Sequence, residues 1–91
     1  MYRSESIFSE DGCLELSASK LQEGGFTKYY AAMLEINIGG ESDIWDNDEY
    51  LKRELFLWAS GQETDEDFKQ VEEYRDELFE MLKLAIELKM L

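Results

Sequence analysis

Leu14, Leu16 and Ala18 alternate with Cys13, Glu15 and Ser17, the period-two pattern of a half-buried strand. Asp11-Gly12 precedes them and reads as a two-residue type I′ hairpin turn, in which both central residues need positive φ. The stretch before that turn alternates less cleanly. Gly24-Gly25 and Gly39-Gly40 break the chain again as turns or hinges. Between them, "FTKYYAAMLEINI" fits two periods. As a strand it places Phe26, Tyr30, Ala32, Leu34, Ile36 and Ile38 on one face. As a helix it groups Phe26, Tyr29, Tyr30, Met33 and Asn37, with Thr27 as a cap. β-Branched and aromatic content favours strand for at least 34–38.

From residue 46 the period changes to helical. Asp46 is placed to cap a helix, with Glu49 three residues on as in a capping box, and Trp45 and Tyr50 are spaced for a hydrophobic staple. Leu51, Leu55 and Trp58 follow at helical spacing, and Gly61 ends the run. A second, longer helix starts after a Thr64 cap, with Asp65, Glu66 and Asp67 in its first turn, and extends to about residue 89. Phe68, Val71, Tyr74, Leu78, Leu82 and Ala85 form its apolar stripe. Glu72, Glu73, Asp76, Glu77, Glu80 and Glu87 lie opposite. These elements predict an α+β fold, an N-terminal antiparallel hairpin or small sheet packed against two C-terminal helices. The whole is one domain of 91 residues, β-rich over 1–40 and helical over 46–90.

Charge sharpens the reading. The chain has 22 acidic and 9 basic residues, a net charge of −13. Residues 41–80 hold fifteen of the acids and four of the bases. Such a surface repels nucleic acid and anionic membrane and attracts basic partners. Part of the cluster has a local explanation. Asp46, Asp48 and Glu49 sit at a helix N-terminus, where each negative charge contributes ~0.3–1 kcal/mol.

Composition also narrows the chemistry. There is no histidine, hence no imidazole general base, no imidazole metal ligand and no Ser-His or Cys-His pair. The single Cys13 cannot form an internal disulfide, which suits a reducing cytoplasm. "MYRSESIFSE" lacks the apolar segment of a signal peptide, and no apolar run approaches the ~20 residues of a membrane span. "DIWDNDEY" fails as a calcium loop in both registers. Counting from Asp46 puts Tyr50 and Leu51 where a ligand and a glycine are required; counting from Asp43 puts Trp45 at the second ligand position. Neither Gly-Gly pair is followed by the GK[ST] of a phosphate loop. The expectation is therefore a non-enzyme without metal or cofactor.

The remaining signal is the acid itself. Glu73, Asp76, Glu77 and Glu80 recur at three- and four-residue spacing, which brings Cβ atoms to ~5–6 Å. With Asp43, Asp46, Asp48 and Glu49 from the first helix region, two rows of carboxylates could flank one surface and imitate a row of phosphates. In size, charge and lack of catalytic groups the chain resembles the small DNA-mimic inhibitors that phages and mobile elements use against restriction, CRISPR and DNA-repair proteins. That is a functional class, and the resemblance covers composition. It implies a basic nucleic-acid-binding protein or nuclease as partner, no direct binding of nucleic acid, and a cytoplasmic site of action. The alternatives are an immunity protein or antitoxin against a nuclease toxin, and a structural adaptor whose acidic face is only solvated. Finally, "LFEMLKLAIELKML" is apolar over a wide arc and changes the sign of the local charge. This predicts a homodimer through Met81, Leu84 and Leu88.

Overall fold

A computed structural model describes residues 2–64 and 66–91. Four strands form an antiparallel meander in the order β1-β2-β3-β4: β1 Tyr2–Phe8, β2 Leu14–Glu23, β3 Phe26–Ile38 and β4 Glu41–Trp45. A π-helical turn, Tyr50–Leu55, runs into α1, Phe56–Ala59; a 3-10 helix, Glu66–Tyr74, runs into α2, Arg75–Glu87. The expected α+β architecture is present, with both helical segments on one face of the sheet.

The turn chemistry differs from the sequence reading. The β1–β2 connection is a five-residue loop, Ser9 to Cys13, and Asp11 does not take positive φ. The Asp11 carboxylate instead accepts bonds from the Ser9 hydroxyl at 2.8 Å and the Cys13 amide at 2.9 Å. This stabilises a wider loop. The two-residue turns with positive φ at both positions are Gly24-Gly25 (57° and 85°) and Gly39-Gly40 (63° and 82°).

All of 26–38 is strand, with one fault. Ala31 and Ala32 together oppose Ala18, since Ser17 pairs with Met33 but Ser19 with Tyr30. Ala31 takes the left-handed conformation, φ 47°. This bulge shifts the phase of the strand by one residue. Ala32, Leu34 and Ile36 face the helices with Leu14, Leu16 and Ala18 of β2, as predicted. Beyond the bulge, Tyr29 takes the inward position, while Tyr30 and Phe26 turn to the opposite face, 38% and 80% exposed. They do not share a face with Ala32.

β4 had no helical or strand assignment from sequence. It is an edge strand with Trp45 and Asp43 on the helix-facing side, paired with Leu34 and Ile36. The helix after it is capped by Asn47 in place of Asp46: the Asn47 side-chain oxygen accepts the Tyr50 amide at 3.1 Å. It ends as expected at Gly61, with bonds from Gly61 N–H to Trp58 O and from Gln62 N–H to Leu57 O.

The long second helix is two helices. Phe68, Val71 and Tyr74 recur every three residues, the period at which side chains eclipse in a 3-10 helix, and 66–74 adopts that form. From Tyr74 the apolar spacing widens to include Leu78, Met81, Leu82 and Ala85, and the chain becomes α-helical. The expected Asp65 contribution lies outside the described residues. α2 ends at Glu87 and the chain turns away at Lys89, which takes φ 64°, with Met90 N–H bonded to Ala85 O at 2.8 Å. The core joins both layers: six inward residues of β2 and β3, Leu51, Leu55, Trp58 and Ala59, then Phe68, Val71 and the α2 stripe. Phe68 is its aromatic centre, with ring centroids of Trp45, Tyr50 and Trp58 at 5.2, 5.7 and 4.9 Å.

Candidate acidic interaction surface

The 3-10 helix has three sides, because its residues stack every third position. One side is the core line of Phe68, Val71 and Tyr74. A second carries Glu66, Lys69, Glu72 and Arg75, alternating in sign. Arg75 is committed inward: its guanidinium donates to the carbonyls of Trp58 and Glu63 at 2.8 and 2.7 Å, and it stacks on the Trp58 ring. A hollow of about 100 Å³ opens here over Trp58 and Phe68. That is well below the ~300 Å³ at which small-molecule sites begin. The third side leads through Gln70 and Glu73 to Asp76.

Gln70 on that third side, Tyr74 at the end of the first and Glu77 in α2 fasten the helical stretch to the end of the sheet by three hydrogen bonds. Gln70 donates to the Asp43 carboxylate at 2.7 Å, the Tyr74 hydroxyl to Asp11 at 2.6 Å, and the Glu10 amide to Glu77 at 2.8 Å. The contacts place acids of the sheet end beside acids of the helical stretch, as parts of one acidic string. It runs from the first helix turn (Asp46, Asp48, Glu49) past Asp43 and Glu73 to Asp11 and Glu77, and on to Asp76 and Glu80.

Their states differ. Asp43 and Glu77 hold the fold, and Glu77 is half-buried. Glu80 pairs with Lys83 at 3.0 Å within α2. Among the described residues, Asp46, Asp48, Glu49, Glu73 and Asp76 are exposed, and no hydrogen bond or ion pair holds their side chains. Lys52 and Arg53, though close in sequence, pair with none of them. The sequence reading had left out Asp11 and Glu10. Asp11 is the most perturbed acid of the string: the Tyr74 hydroxyl, then the Cys13 amide and the Ser9 hydroxyl, lower its pKa to about 2. The same contact raises Tyr74 far above the ordinary phenol range, which keeps it a proton donor. Tyr74 is therefore unsuited to act as a base. Among the described residues no group of three acids or cysteine converges as a metal site.

The predicted dimer residues separate. Leu84 and Leu88 are exposed, 43% and 42%, and Ile86 joins them at 37%. Met81 is 4% exposed and belongs to the core, so it cannot contribute to an intermolecular contact. No helix among the described residues is long and apolar enough to cross a membrane. The chain matches no family model, no curated protein and no solved structure.

Proposed function

We propose that this protein is a non-enzymatic acidic inhibitor that occupies the basic, DNA-binding surface of a nucleic-acid-processing protein in the cytoplasm. The observation that carries the reading is uncompensated charge on an ordered scaffold. Five of the eight candidate acids are exposed and unpaired, and two of them, Glu73 and Asp76, sit on the helical stretch pinned to the sheet by Gln70–Asp43, Tyr74–Asp11 and Glu10–Glu77. Carboxylates held in place lose less entropy on meeting lysines and arginines than mobile ones do. Field strength over such a string also speeds encounter with a basic target. A merely solvated face has no need of this fastening, although the three bonds also serve stability.

Glu77 belongs to the scaffold, so the informative variant spares it. Glu73→Gln, Asp76→Asn and Glu80→Gln together should lower capture of a basic protein from lysate at low salt while leaving the fold intact. Undiminished capture by the triple variant would remove the acids from the function and leave the adaptor reading. An immunity protein for a nuclease toxin would give the same loss, but with a single nuclease eluted and its activity blocked.

A further inference from the structure

One face of the sheet packs against the helices; among the described residues no helix covers the other. Four of the seven exposed large hydrophobic residues lie on it: Phe8, Phe26, Tyr30 and Ile44. The strand register fixes their order. Phe8, Glu15, Glu35 and Ile44 form one cross-strand row; Ser6, Ser17 and Met33 the next; then Ser4, Ser19 and Tyr30; then Leu21 with Lys28, and Glu23 with Phe26. The middle rows are mostly serine, so a second sheet can approach closely there. In a chain of net charge −13 this face carries only Glu15, Glu23, Glu35 and Lys28 among described side chains, and Lys28 rests over the Tyr30 ring at 5.1 Å.

We infer that the open sheet face is a homodimer interface, with a second copy of this chain stacked on it, strands antiparallel, about a two-fold axis that crosses β3 between Tyr30 and Met33. Charge complementarity selects both the occupant and the orientation. With that axis across the strands, Lys28 stands over Glu35 of the second copy and Tyr30 over Met33 of the second copy, each twice by symmetry. With the axis along the strands, Glu15 would stand over Glu35 of the second copy, a like-charge contact. The bulge at Ala31 is what makes the match available: without the phase shift, Lys28 and Tyr30 would point to the helix side. The helical layers then lie outermost, so each copy keeps its acidic string free.

Sedimentation equilibrium at micromolar concentration and moderate salt tests this, with circular dichroism confirming that each variant is folded. The wild type should be dimeric. Lys28→Glu and Glu35→Lys should each weaken dimerisation by about tenfold or more. The double swap, Lys28→Glu with Glu35→Lys, should restore it. Glu35→Lys makes the chain less negative, so its loss of dimer cannot arise from net repulsion. A monomeric wild type, single variants that dimerise as well as the parent, a double swap without rescue, or loss of the dimer on Leu84→Glu alone would each overturn the assignment.

Discussion

Replacing Phe68 by alanine removes the side chain on which three elements converge. It is fully buried, and its ring meets those of Trp45 from β4, Tyr50 from the π-helical turn and Trp58 from α1. A buried Phe→Ala change costs ~3–5 kcal/mol through lost transfer energy and the cavity left behind. Each ring pair adds ~0.5–1.5 kcal/mol beyond its buried area, so the upper half of that range applies here. A domain of this length has a stability of about 5–14 kcal/mol, so the variant should fold marginally. The midpoint should fall by about 16–40 °C, at ~4–8 °C per kcal/mol. Thermal unfolding followed by circular dichroism measures it, with Leu84→Ala as control, since Leu84 is 43% exposed on the helical side and should lose far less. A loss below about 1.5 kcal/mol for Phe68→Ala would refute its place as the centre of the core and, with it, the rigidity claimed for the acidic string.

Three further predictions follow from local geometry. Lys89→Gly relieves a side chain from the left-handed conformation and should stabilise the protein by about 0.5–1 kcal/mol in urea unfolding; Lys89→Val should do the reverse. Asn47→Ala, which removes the cap of the first helix, should cost about 1 kcal/mol, whereas Asp46→Ala should cost less. Asp11 titrates near 2 in the folded state against an ordinary 3.8, so its contribution is complete above that ordinary value and is lost as pH falls toward 2; Tyr74→Phe should move the Asp11 titration, read by NMR, upward toward 3.8.

Parts of this structure are written plainly in the sequence. The alternation of Leu14, Leu16 and Ala18 and the glycine after the first helix led directly to β2 and a helix end. The three-residue spacing of Phe68, Val71 and Tyr74 was also there to be read, since an α-helical stripe alternates threes and fours. β4 is harder to see because an edge strand has one buried face and this one puts Asp43 on it. The bulge at Ala31 leaves no signal, as alanine does not favour positive φ. In "DNDEY" three successive residues can cap a helix, and the register of Trp45 against Leu34 decides which one does. Exposure of Asp48, Glu49, Glu73 and Asp76 follows from helical phase alone, and Asp46 lies in the turn before the Asn47 cap. That Asp11, Asp43 and Glu77 are spent as hydrogen-bond acceptors depends on contacts 27 to 67 residues apart, which no local pattern encodes.

The central claim is that the acidic string takes the place of DNA on a basic protein. The most direct measurement is a competition titration: the captured partner, bound to a fluorescent DNA duplex, is titrated with this protein at several salt concentrations. The account predicts stoichiometric displacement of the duplex, weakening steeply as salt rises, and lost in the Glu73→Gln, Asp76→Asn, Glu80→Gln variant. A ternary complex containing the partner, the duplex and this protein together, or an affinity indifferent to salt, would contradict it.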